Sequence, residues 1–317
     1  MDLAKINVLI VTYKQADVIG RNIESILQQK EYGLNKIIIC DDCSPDNNWD
    51  VIQKYVKQYP DFIVAYRNEN NLGIYGNSMR LASLHDEADL YCWLEGDDEL
   101  CDGFFKATQD YIRNNDIDVG QSVGIFSDYY VVNPQGKKKR VRNDFVLRGE
   151  DPLGAYYRNI ATWRASLISK PVIEKFKAIE INKGLILAET LFDSQWFRYT
   201  DRSYYNPIVG SVYYSGIGVS VQWGLLDIYS SYNIDDNIIR WNYLIENDLL
   251  TDQRDTYWAQ SNISYSLCLK EVTWKHVPAF IHNYKKGLKD YRKRPFMLVL
   301  KTCHLMLIVL KRKVFRK

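Results

Sequence analysis

Several features that commonly announce a chemistry are missing from this 317-residue sequence. No Gly-x-Gly-x-x-Gly follows the first apolar run, and no glycine-rich loop ends in Lys-Ser or Lys-Thr. The backbone cradles with which dinucleotide and P-loop proteins hold phosphate are therefore excluded. Histidine is scarce, at 4 residues, and His276, His282 and His304 lack the spacing of a metal site. Cys40 and Cys43 form the only Cys-x-x-Cys, with no second pair to complete a zinc site, so the 6 cysteines read as reduced, structural thiols. No charged start with an apolar core precedes the first strand, which argues against a signal peptide and for a cytoplasmic body. No apolar run is long enough to span a bilayer. The longest, Phe296 to Leu310, would reach roughly 22 Å as a helix against a hydrocarbon core of roughly 30 Å, and Lys301 and His304 interrupt it.

The net charge is only +2, but it is unevenly spread. From Lys285 onward there are 12 Lys or Arg and one acid, Asp290, so the tail is strongly basic and the body acidic. Such a body is a poor partner for nucleic acid, whereas the tail suits anionic lipid. A helix lying on the inner face of the cytoplasmic membrane is expected for residues 291–317, giving a peripheral protein; the competing reading is a helix docked on the body with a basic fringe.

What is present begins with alternation. Asn7–Thr12, Lys36–Cys40, Phe62–Tyr66 and Leu90–Leu94 are apolar runs of strand length. Between them Val18, Ile19, Ile23, Ile26 and Leu27, then Val51, Ile52, Tyr55, Val56 and Tyr59, recur at helical spacing. A third, short helix is expected from about Asn77 to Leu84. The pattern predicts an α/β protein with a doubly wound, mostly parallel sheet, which binds ligands at the carboxyl ends of its strands. Phe104 to Ile112 predicts a further helix, Ile125–Val132 a strand, Asn133–Gly136 a turn, and Lys137–Arg142 a basic strand or loop. Residues 223–290 carry an aromatic-rich helical pattern and read as a separate small domain.

Acidic residues gather at those strand ends. Glu95, Asp97, Asp98 and Glu99 crowd four carboxylates into five positions. Like charges so placed need water or a cation, and oxygen ligands suit Mg²⁺ or Mn²⁺. Asp41 and Asp42 close the second strand; a carboxylate there accepts from an imide N–H or ribose hydroxyl, or else fixes a turn before Ser44-Pro45. Downstream, Glu189 and Asp193 flank Thr190-Leu191-Phe192, and Asp193 would serve either as a general base or as a helix cap.

Four stretches now carry a resemblance: Val8 to Lys14, Ile37 to Ser44 with its Asp41-Asp42, Asn70-Asn71-Leu72-Gly73 with Asn77, and Glu95-Gly96-Asp97-Asp98. In this order they resemble successive motifs of the family-two glycosyltransferases, inverting, metal-dependent enzymes of the GT-A fold that use nucleotide-activated sugars. The resemblance covers about the first 220 residues. It implies nucleotide contacts at Thr12, Tyr13, Asp42, Asn71 and Asp97, and metal ligands at Asp98 and Asp97. Many members have Asp where this chain has Glu95. Asp193-Ser-Gln-Trp resembles the family's helix start whose Asp is the catalytic base, with Glu189 in reserve. Thr162-Trp163-Arg164 stands where the family lines the acceptor side. Tyr205 to Gln222 resembles its flexible loop over the sugar, with Tyr213-Tyr214 where Tyr-Arg is usual. The domains implied are a transferase over 1–222, a helical domain over 223–290 and a membrane-associating tail over 291–317. The activity implied is transfer of a hexosyl or N-acetylhexosaminyl group from a nucleotide diphosphate sugar, UDP-linked by preference, to a glycan or lipid-linked acceptor in cell-surface polysaccharide or lipopolysaccharide synthesis. The alternative is a non-catalytic nucleotide-sugar or glycan-binding relative of the same fold.

Overall fold

A computed structural model describes residues 2–84, 86–158, 160–177, 187–216, 231–250 and 253–287, together with Thr302 and Leu305. The chain divides into two compact units, Met1–Asn182 with Ala188–Val221, and Lys183–Leu187 with Gln222–Lys317.

The first unit begins as the alternation predicts. Strand β1 (Ile6–Thr12) is buried at all seven positions, as a central parallel strand must be. Helix α1 (Ile19–Leu27) lays Ile19, Ile23, Ile26 and Leu27 onto the sheet. Then come β2 (Leu34–Asp41), α2 (Asn48–Gln58), β3 (Ile63–Arg67), α3 (Gly73–Ser83) and β4 (Leu90–Glu95). Helix α3 starts four residues earlier than its apolar spacing suggests, because the Asp42 carboxylate accepts the Leu72 N–H at 2.8 Å and secures the first turn from another strand. β1 pairs in parallel with β2 and β4, and β2 with β3. Thr12 lies beside Asp41 and Val11 beside Glu95, so three strands end at one level.

The rest of the sheet is mixed. It contains β5 (Glu99–Leu100), α4 (Phe104–Asn114), β6 (Val123–Val132), β7 (Lys138–Val141), α5 (Pro152–Tyr157), β8 (Ser166–Ser169), α6 (Lys170–Ile173), α7 (Leu187–Arg198) and β9 (Arg202–Tyr214). The strand order is β3-β2-β1-β4-β8-β6-β9-β5, with β7 on β6. β8 runs antiparallel between β4 and β6, and β9 returns parallel to β6. Tyr205 to Tyr214, expected as part of a flexible loop, belongs to the thirteen-residue strand β9, whose pairing with β6 continues to Val132↔Tyr214. Residues 217–222 lie outside the described residues.

Asp193 does not cap a helix: α7 begins at Leu187 and places Asp193 in its second turn. The helix packs through aromatic rings that strand and helix periodicities do not reveal. Trp93 of β4 meets Phe192 at 4.7 Å and Trp196 at 5.8 Å, which holds α7 against the strand that ends in the acids.

In the second unit α8 (Ser231–Glu246), α9 (Gln253–Glu271) and α10 (Val277–Gly287) form a helical array. Trp258 meets Tyr284 and Tyr265 meets Phe280, so α9 and α10 run antiparallel. A Cβ at Gly287 would come within 2.9 Å of the Trp258 backbone nitrogen, and glycine permits that approach. Of the tail, Thr302 and Leu305 are described; Leu305 is buried against Cys268 and Leu269, as a docked tail would place it. The remainder of 291–317 lies outside the described residues. Among the described residues no helix is long and apolar enough to cross a membrane.

Candidate active site

The turn after β4 is built by α1. The Asn22 amide donates to the Glu95 carbonyl at 2.8 Å and the Asp98 carbonyl at 2.9 Å, and Arg21 donates to the Asp97 carbonyl at 2.8 Å. With its backbone oxygens so occupied, the turn presents its carboxylates. Glu95, Asp97 and Asp98 bring carboxylate oxygens within 4.8 Å of one another. Glu99 is separate: it pairs with Arg21 and accepts from the Tyr214 hydroxyl at 2.7 Å. The turn is thus no solvated acidic loop, since Asp97 and Asp98 are buried. Burial, then repulsion from Glu95, raises the Asp97 carboxyl to about 6 and drives Asp98 well above the ordinary range.

Among the described residues Arg164 is the cation that pairs with the carboxylates of this cluster, while Arg21 is taken up by Glu99. Arg164 reaches Glu95 at 3.1 Å and Asp98 at 3.9 Å, with its guanidinium over the Tyr213 ring at 4.2 Å and the Trp163 ring at 4.8 Å. Burial works against its charge, yet Glu95 and Asp98 overcome that and hold its pKa raised. Three carboxylates and one guanidinium leave two negative charges at full ionisation. An all-oxygen, doubly negative cluster fits one hard divalent cation. The residues that would hold it are Glu95, Asp97 and Asp98, so Glu95 joins the pair that the resemblance implies.

Asp193 lies next to the same charges. The Tyr156 hydroxyl donates to its Oδ2 at 3.2 Å, and the Trp163 side chain donates to its carboxylate as well. Tyr156 is itself fixed by stacking on Phe197 at 4.9 Å. Burial first, and the field of Glu95 second, raise the Asp193 carboxyl to about 7, against the lowering pull of Arg164, Trp163 and Tyr156. Such a group changes protonation near neutrality, as a general base should. Glu189 is on α7 one turn earlier, and its side chain lies outside the described residues.

The two carboxylates after β2 take different roles. Asp41 is committed to structure: it accepts from the Ser44 N–H and the Asn48 amide, and Arg67 lies at 3.3 Å. Asp42 accepts from the Asn68 amide at 2.6 Å and from the Leu72 N–H at 2.8 Å, both on Oδ1, which leaves Oδ2 outside this network. Thr12 is buried, and its hydroxyl accepts from Asn48. Tyr13 is half-buried with Lys14 over its ring at 5.0 Å. Asn71 is exposed and accepts from the Gly73 N–H. Thr12 and Asp42 are joined by the Asp42 N–H to Thr12 carbonyl bond at 3.0 Å, and the Glu95–Asp98 turn lies beyond β1.

Tyr156 escapes sequence reasoning altogether; Trp163 and Arg164, which the resemblance sets on the acceptor side, are brought instead to Asp193 and to the acidic cluster. Their partners are 30 or more positions away (Arg164 to Glu95 spans 69, Tyr156 to Asp193 spans 37), and no local periodicity encodes them.

An α/β sheet with an acidic, divalent-type cluster at the end of its fourth strand and a base-like carboxylate beside it describes a GT-A nucleotide-sugar transferase. The sequence profile of glycosyl transferase family 2 matches residues 7–167, and the chain belongs to that family. Solved structures share the fold. Staphylococcus aureus TarS 1–349 in complex with UDP-GlcNAc matches with a TM-score of 0.55 at 14% identity, over 91% of this chain and 92% of that one. The mannosyltransferase PcManGT from Pyrobaculum calidifontis, in complex with GDP-Man and Mn²⁺, matches at 0.53 and 11% identity, over 100% and 89%. A search of curated proteins finds no match.

Proposed function

We propose that this chain is an inverting, metal-dependent glycosyltransferase that passes a sugar from a nucleoside diphosphate donor, UDP-linked by preference, to a hydroxyl of a glycan or lipid-linked acceptor in cell-surface polysaccharide synthesis. The observation that carries the reading is the charge pattern: a buried acidic cluster that is two charges short of neutrality when fully ionised, beside the Asp193 carboxyl raised to about 7. Thr12, Tyr13, Asp42 and Asn71 border the nucleoside, with the free Oδ2 of Asp42 as acceptor for an imide N–H. Glu95, Asp97 and Asp98 would hold a divalent cation, which when bound would supply the charge neutralisation for the diphosphate that a glycine-rich cradle supplies elsewhere.

Asp193 takes the proton of the acceptor hydroxyl as that oxygen attacks the anomeric carbon and the bond to the diphosphate breaks. One base and one displacement give inversion. Tyr156 and Trp163 fix the carboxylate, so its position does not depend on the acceptor. Residues 1–222 would form the transferase domain and 223–290 a helical one. The basic residues from Lys285 onward support contact with an anionic membrane surface. Related folds are solved with UDP-GlcNAc and with GDP-Man and Mn²⁺, which supports a nucleotide-sugar donor and a divalent cation. The test is calorimetric titration of UDP with Mn²⁺ and again with EDTA. Tight binding only with the metal is expected; equal affinity in both would sink metal dependence.

A further inference from the structure

The basic hairpin β6–β7 has a sidedness that the reaction above does not use. Laterally paired residues of a sheet point to one face. Val131 pairs with Tyr213 of β9 on one side and Lys139 of β7 on the other, and Tyr129 pairs with Ser211 and Val141. Tyr213 lies under Arg164, which fixes this face as the one that meets the acidic cluster. Lys139 therefore shares a face with the active site, two strand spacings from Tyr213, roughly 10 Å at about 4.8 Å each. Lys137 falls on the same face by the two-residue period.

The charges of the hairpin are not equivalent. Arg140 is held by buried Asp128 at 2.7 Å, and Arg142 pairs with Asp144 at 3.0 Å. Lys138 lies over the Tyr130 ring, on the opposite face. Lys137 and Lys139 are exposed and, among the described residues, have no acid within ion-pair distance. Charge on an edge strand also guards it against pairing with another chain, but guarding is indifferent to face. Here the two uncommitted lysines stand on the face that carries Tyr129 and Tyr213, whose half-buried rings offer aromatic walls of the kind that suit the C–H faces of a sugar.

Resting on the transferase reading, we propose that this strip, from Tyr213 past Tyr129 and Val131 to Lys139, is the acceptor track, and that the acceptor is a glycan carrying phosphate groups. The lysines hold a phosphate of that glycan roughly 10 Å along the strip from Tyr213.

Lysine acetylation footprinting of the full chain, read residue by residue by mass spectrometry, keeps the basic tail from masking the result. Inorganic polyphosphate and vesicles containing anionic lipid are the two probes. Polyphosphate should slow acetylation of Lys137 and Lys139 at least about fivefold, through local accumulation of the anion, and leave Lys54 and Lys57 of α2 unchanged. In Lys139→Glu the protection of Lys137 should fall, while Lys54→Glu/Lys57→Glu should keep it. Unchanged acetylation, equal slowing at all four lysines, or slowing by vesicles but not by polyphosphate would each overturn the proposal. UDP binding with Mn²⁺, measured on the same preparations, reports the transferase reading separately.

Discussion

In the parallel half of the sheet, β1 to β4, backbone and apolar side chains form a buried platform whose strand ends carry acids: Asp41, Asp42, Glu95, Asp97 and Asp98. The mixed half, with α5 and α7 beside it, supplies what those acids lack: the Arg164 cation, the Tyr213 ring beneath it, and the Tyr156 and Trp163 donors that hold Asp193. Neither half is a site alone. The parallel half concentrates negative charge and, in the proposed reaction, would bind the donor; the mixed half moderates that charge and holds the carboxylate proposed as the base.

This division is most exposed to failure at Asp193. Asp193→Asn should lower turnover by about a hundredfold or more while donor affinity persists, since the donor contacts belong to the other half. The wild-type rate should rise with pH through about 7, because the carboxyl raised there must lose its proton to act as a base. A steady-state pH profile alongside calorimetry checks both. Normal transfer by Asp193→Asn with loss in Glu189→Gln would move the role one helical turn.

A smaller effect, on the other side of the comparison, is expected from Asp98→Asn. Nucleotide affinity in Mn²⁺ should fall at least about tenfold and become insensitive to EDTA, because charge neutralisation at the diphosphate is lost. If affinity in Mn²⁺ were unchanged, the acids would have no binding role.

Arg164→Met sharpens the comparison at the point where the halves meet. Without the guanidinium three carboxylates face one another, so the melting temperature in EDTA should drop by a few degrees, for a loss of about 2 kcal/mol. Affinity for Mn²⁺ without nucleotide should rise, since a competing cation has gone. A fall in Mn²⁺ affinity would mean that Arg164 builds the cluster rather than offsetting its charge.

The two halves also differ in how much of them can be read from the chain. β1 is apolar at nearly every position because both faces are covered, and its neighbours differ little, so the alternation of parallel strands with helices is plain. Asp97 and Asp98 are adjacent in sequence, and their repulsion advertises a cation. In the mixed half the informative contacts are distant. Asp193 has the local signature of a helix cap, yet the packing of Phe192 and Trp196 on Trp93 carries the helix a turn and a half further back. Tyr205 to Tyr214 has the Gly and Pro of a loop, yet β6 offers a partner along its length. Arg164 stands out in the sequence only through the resemblance, as an acceptor-side residue; its role at the acids appears once the fold brings Glu95, 69 positions earlier, to 3.1 Å.

Gly96 lies where the acidic turn meets the end of β1 and the segment after it. A Cβ there would come within 2.4 Å of the Gln15 side chain and 3.0 Å of both Thr12 and Ile19. The wall between the segment after β1 and the acidic turn is therefore one backbone thick, with no side chain to serve as a spacer. If the donor binds as proposed, a residue larger than glycine at 96 would push the Thr12 segment and the acidic turn apart and lengthen the span between nucleobase and diphosphate that the donor has to match.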